Sequence, residues 1–92
     1  MQRLTIKIYG MVQGTFFRAG AKKKADELGL VGWIKNVSDG TVEALVEGEE
    51  EKVKEFMEWC KTGPEMAKVD RVEEEEKDID NLEFTDFEVV YY

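Results

Sequence analysis

Two glycines and an arginine concentrate the chemistry of this chain. Gly10 and Gly14 bracket Met11, Val12 and Gln13, and Thr15-Phe16-Phe17-Arg18 follows directly. Glycine lets the backbone turn so that successive N–H groups converge on one point, and such a concavity binds anions. A helix starting just after the loop adds its dipole and its unbonded N–H groups to the same attraction. Arg18 then falls in the first helical turn, where its planar fork can hold two phosphate oxygens. The segment reads as a phosphate cradle. Plainer readings stand beside this one: the glycines could mark any tight strand-to-helix turn, and an isolated arginine is commonly a surface ion-pair partner.

Such a loop needs a strand before it and a helix after it. Leu4, Ile6 and Ile8 alternate with Thr5, Lys7 and Tyr9, the period of a half-buried strand. Phe17, Ala21, Ala25 and Leu28 recur at helical spacing, and Gly29 is placed to stop the helix. Residues 31–35 and 41–47 read as strands joined in a hairpin by Ser38-Asp39-Gly40. Val53, Phe56, Met57 and Cys60 mark a second helix over about 49–61, which Gly63-Pro64 ends. Residues 69–75 alternate weakly as a fourth strand, and 84–91 form a final extended segment. The order predicts an α+β fold, the ferredoxin-like split βαβ sandwich (βαββαβ plus a C-terminal strand), with two helices on one face of an antiparallel sheet. Phe17 and Trp33 are expected in its core, with Val12 anchoring the loop. Gln13 either points into the site or ties the loop down.

The run from Gly10 to Arg18 also resembles the first signature of the acylphosphatase family, Gly-x-Val-Gln-Gly-Val-x-Phe-Arg, at every fixed position except Thr15. Gly32-Trp33-Ile34-Lys35-Asn36, followed by Gly40-Thr41-Val42 and Gly48, is similar to that family's other signature. The resemblance covers essentially the whole chain and implies one domain over residues 1–92. It implies hydrolysis of acyl phosphates to a carboxylate and inorganic phosphate, by metal-independent attack of an oriented water on phosphorus. Gly10, Met11, Val12, Gln13, Gly14, Thr15 and Phe16 would then supply backbone N–H groups to the phosphate. Arg18 would grip its oxygens, and Asn36, otherwise an ordinary turn residue, would orient the water. Three positions depart from the relatives: Thr15 replaces a valine, Phe16 is bulky, and Ala19 stands where an aromatic is common. The alternative is a module that binds phosphate or acyl phosphate without turning it over.

Composition narrows the field further. The chain has 92 residues, of which 42% are hydrophobic, which suits one small core. Its net charge of −8 would repel nucleic acid and anionic membranes, so neither is an expected partner. It has no histidine, which removes His-based triads and phosphohistidine intermediates, and no cofactor is expected. The single Cys60 lies on the apolar face of the second helix and reads as core. No apolar run approaches the ~20 residues of a membrane span. A cytoplasmic monomer is the expected form.

Overall fold

The computed structural model describes residues 1–91; Tyr92, whose role the sequence leaves open, lies outside the described residues. The elements in order are β1 (Gln2–Met11), α1 (Phe17–Leu28), β2 (Val31–Asn36), β3 (Val42–Gly48), α2 (Glu50–Thr62), β4 (Lys68–Asp78) and β5 (Phe87–Val90).

Strand alternation sends Leu4, Ile6 and Ile8 of β1 and Val42, Ala44 and Val46 of β3 to one face of the sheet, where all are buried. Phe17, Ala21 and Ala25 of α1 and Val53, Phe56 and Cys60 of α2 cover them. The two helices therefore pack on a single face, as the apolar periodicity predicts. Cys60 is fully buried, and burial pushes its thiol pKa up. No helix among the described residues is long and apolar enough to cross a membrane.

The sheet runs β4-β1-β3-β2-β5. Its first four strands pair antiparallel, but β5 lies parallel to β2, so the sheet is mixed and not wholly antiparallel. The direction follows from where the chain arrives. Asp78 ends β4 opposite Gln2, the start of β1, and Gln2 lies opposite Gly48. Glu47 in turn pairs with Val31, the start of β2. A connection that stays at this end of the sheet must begin β5 beside the start of β2 and run with it. β4 is longer than its weak alternation predicts because β1 pairs with it along its full length. β5 is shorter than 84–91, because residues 79–86 serve as the crossing loop.

One side chain sits elsewhere than expected. Trp33 is half-buried on the face away from the helices, with Lys35 Nζ 5.1 Å from its ring centroid. Its neighbour Ile34 takes the core position. Glu47 is fully buried although it opens an acidic run. Its carboxylate takes Arg3 Nε at 2.7 Å and the backbone N–H of Glu83 at 2.7 Å, which pins the crossing loop.

Candidate active site

β1 shifts register against β4 between Tyr9 and Gly10, stays paired through Met11, and then enters the loop to α1. Gly10 has φ 128°, and a Cβ there would lie 2.2 Å from the carbonyl oxygen of Lys68. Only glycine lets β4 pass so close. Gly14 (φ 74°) and Phe16 (φ 64°) both adopt the left-handed conformation, which curls the loop back toward its own N–H groups. No loop or cap backbone bond starts from the N–H groups between Gln13 and Ala19 among the described residues. The first is Gly20 N–H to Phe16 O at 2.9 Å.

Side chains hold this shape from within. Val12 is buried in the core beneath the loop. Thr15 Oγ1 donates to Val12 O at 2.7 Å, so the hydroxyl that replaces valine finds its partner inside the loop. Gln13 Nε2 donates to Val37 O and Thr41 O, tying the loop to the β2–β3 turn. That turn is fixed in its own right. Asp39 Oδ1 accepts Thr41 Oγ1 at 2.6 Å and Thr41 N–H at 3.0 Å, and Lys7 Nζ lies 3.0 Å from Oδ2. These bonds, Thr41's hydroxyl foremost, hold the Asp39 carboxyl down to about 2.

The start of α1 carries neither a side-chain cap nor an acidic residue in its first turn, whereas α2 begins with Glu50 and Glu51. Its positive end is therefore left for an external anion. Arg18 stands in that turn. Of the three arginines, Arg3 pairs with Glu47 and Glu83 and Arg71 with Glu73, while Arg18 makes no ion pair among the described residues. Its guanidinium instead lies 4.8 Å from the ring centroid of Tyr91, a cation–π contact.

Asn36 ends β2, and its Oδ1 is buried with no hydrogen-bond partner among the described residues. A buried acceptor left unpaired costs about 1–3 kcal/mol, unless a ligand or water supplies the donor. It lines a cleft of about 300 Å³ together with Val12, Gly14, Phe16, Phe17, Arg18, Ala19 and Tyr91. Among the described residues Arg18 is the one charge in that lining, in a chain with 21 carboxylate side chains. A second hollow of about 270 Å³ beside β1 and β4 includes Lys7 but also Glu43, Glu73, Glu74 and Glu75. That one carries the wrong sign for an anion.

The sequence-predicted residues thus divide. Val12, Gly14, Phe16, Arg18 and Asn36 meet in the cleft; Gly10, Met11, Gln13 and Thr15 shape or flank the loop without lining it. Phe17, Ala19 and Tyr91 also line the cleft, and Tyr91 is the one of these that sequence reasoning left without a role. Lys35 pairs with Val90, which carries Tyr91 to the Asn36 end of the sheet. The signal was a register across the sheet, with no local pattern to announce it.

Comparison with known proteins gives concordant results. The sequence pattern of the family described as Acylphosphatase matches residues 4–89. An acylphosphatase of Methylococcus capsulatus is 42% identical over 90 residues, covering 98% of this chain and 97% of that protein. The crystal structure of the Bacillus subtilis acylphosphatase superposes with a TM-score of 0.91 at 38% identity, covering 99% of this chain and 100% of the other. A full-length HypF, solved in a phosphate- and nucleotide-bound form, matches 98% of this chain with only 12% of its own, at TM-score 0.82 and 28% identity.

Proposed function

The chain belongs to the acylphosphatase family and hydrolyses acyl phosphates, and from that premise we propose how its residues divide the work. The N–H groups of the loop from Gly10 to Phe16 and of the first turn of α1 hold the phosphate. Arg18 grips two of its oxygens and stabilises the charge that builds on them. Asn36 Oδ1 accepts a hydrogen bond from the attacking water and sets its direction.

The reaction asks for little else. Water forms a new O–P bond while the bond from phosphorus to the acyl oxygen breaks, and that electron pair leaves with the carboxylate. Carboxylates of this kind have conjugate acids of pKa near 4–5, judging from Asp and Glu, so departure needs no proton donor. The loose transition state of phosphoryl transfer rewards alignment and charge stabilisation. Asn36 is a neutral amide and a poor base, so the water's proton passes to a phosphate oxygen of the substrate. Neither a metal nor a cofactor enters this scheme. On this reading residues 1–92 act as one domain, a cytoplasmic monomer that binds neither nucleic acid nor membrane.

The observation that carries the proposal is Asn36 Oδ1, buried and, among the described residues, unpartnered, in a cleft where Arg18 has no carboxylate of a described residue in an ion pair with it. Hydrolysis of benzoyl phosphate in excess EDTA tests it. The native chain should turn over, and Arg18→Ala and Asn36→Ala should each lose at least about a hundredfold in kcat/KM. Phosphate binding without turnover by the native chain would replace this reading with the pure binding module.

A further inference from the structure

Arg18 works from the first turn of α1, and the end of α2 holds that turn from behind. Phe17, 1% exposed, lies with its ring centroid 5.2 Å from that of Trp59, the two planes tilted by 58°. The Phe17 ring also meets Gly63, where α2 ends. A Cβ at Gly63 would stand 2.6 Å from Phe17 Cε2 and 3.0 Å from Cδ2. Gly63 N–H donates to Trp59 O at 2.7 Å, so both contacts on Phe17 come from one hydrogen-bonded turn.

Trp59 reaches a second point on α1. Gly20 N–H donates to Phe16 O at 2.9 Å and closes the first turn of the helix. A Cβ at Gly20 would meet Trp59 Cζ2 at 3.0 Å and Cη2 at 3.1 Å. Gly20 is helical and does not share the positive φ of six other glycines, so its backbone does not call for glycine. Inside a helix glycine is a poorer choice than alanine. What its bare Cα provides is room for the indole. Phe17, pressed by the same indole, joins the loop to Arg18, and it lines the cleft. Moving Phe17 moves Arg18 and the N–H groups of the turn with it.

We propose that Trp59 is a positioning residue for the reaction: its indole, seated on Gly20 and against Phe17, sets where the first turn of α1 presents Arg18 to the phosphate. This rests on the phosphate-gripping role proposed for Arg18 above. Trp59 itself does not line the cleft, so its effect on catalysis passes through Phe17 and the turn. Catalysis by alignment is sensitive to such shifts, since a misplacement of about 1 Å costs on the order of a hundredfold.

The test compares Gly20→Ala, Trp59→Phe and the double variant. Phenylalanine lacks Cζ2 and Cη2, the two atoms that a methyl at position 20 would strike. Gly20→Ala should press the indole onto Phe17, lower kcat/KM for benzoyl phosphate about tenfold and raise the inhibition constant of inorganic phosphate about fivefold. Its Tm should stay near native, because alanine's higher helix propensity offsets the crowding. The double variant should return to within about threefold of native in both constants, a rescue that two independent losses cannot produce. Amide shifts of residues 14–19 give a readout independent of turnover: they should move in Gly20→Ala and return toward native in the double variant. Losses that add, or activity that falls only as Tm falls, would mean Trp59 serves packing alone and would overturn the proposal. Native kinetics and unmoved amide shifts in Gly20→Ala would overturn it as well. If the native chain neither hydrolyses benzoyl phosphate nor binds inorganic phosphate, the reading of Arg18 fails; the amide shifts still decide whether Trp59 sets the turn.

Discussion

Gln13 Nε2 donates to the carbonyl oxygen of Val37 at 2.7 Å, bridging the phosphate loop and the residue directly after Asn36. A second bond from the same nitrogen reaches Thr41 O at 2.9 Å, on the other side of the turn. One amide thereby sets the distance between the group that holds phosphate and the group that orients water. Gln13→Ala should fold, because the side chain is surface-exposed, yet lose about tenfold in kcat through misalignment. Gln13→Glu should fare worse, since a carboxylate cannot donate to two carbonyls. Steady-state kinetics with a parallel melting curve separates this from simple unfolding.

Thr15→Val restores the residue usual in the family but removes the donor to Val12 O, which is 2.7 Å away. The hydroxyl points into the loop and not at the cleft, so it takes no part in the reaction. Turnover should stay within about threefold of native, while stability falls by about 1 kcal/mol for the lost buried hydrogen bond. A loss above tenfold in kcat would show that the hydroxyl works in catalysis.

Phe16→Asn should raise stability. The left-handed conformation costs a bulky residue roughly 1–2 kcal/mol, and a ring this exposed returns little by burial. Asparagine adopts that conformation more readily, so a gain of about 1 kcal/mol is expected. For a domain of this size that corresponds to a rise in Tm of about 4–8 °C. A fall in Tm would mean the ring packs more usefully than its exposure indicates.

How far the sequence carried these assignments depended on the range of the signal. The alternation of Leu4, Ile6 and Ile8 and the helical spacing of Phe17, Ala21 and Ala25 are local, and both elements form where predicted. The glycines were legible because their backbone roles follow from residue type, and the place of Arg18 because the helix after the loop fixes its first turn. Trp33 was misplaced because it and Ile34 are adjacent apolar residues, and a strand can send only one of them to the helices. Tyr91 and Glu47 owe their roles to a crossing loop and a parallel edge strand. Nothing in a short stretch of sequence encodes either. Gln13 had two readings until the β2–β3 turn was seen within its reach.

Acid should loosen the turn that carries Asn36. The Asp39 carboxyl is held down to about 2 by Thr41 and Lys7, from an ordinary value of 3.8. A group with a lowered folded pKa contributes stability above its unfolded value and loses it as pH falls through the folded one. The contribution of Asp39 should thus be complete above about pH 4 and gone near pH 2. Asp39→Asn should accordingly melt below native at pH 6, with the gap closing as the pH drops to 2. A gap independent of pH would assign the turn's stability to the hydrogen bonds and not to the charge.

Glu47 offers the sharpest test of what holds the C-terminal strand in place. Its buried carboxylate accepts Arg3 at 2.7 Å and the Glu83 N–H at 2.7 Å, while Arg3 also bridges to the Glu83 side chain. Arg3→Ala strands the buried Glu47 carboxylate and should cost about 3 kcal/mol, whereas Glu47→Ala leaves the half-buried Arg3 its bridge to Glu83 and should cost less. Replacing both by apolar residues, as in Arg3→Met with Glu47→Leu, removes both desolvation penalties at once. The double variant should be less destabilised than the sum of the two single losses. It still lacks the acceptor for the Glu83 N–H, so the loop leading to β5 should exchange its amide hydrogens faster even where global stability recovers. If the losses simply add, the pair is not coupled, and the loop is held by packing instead of by this carboxylate.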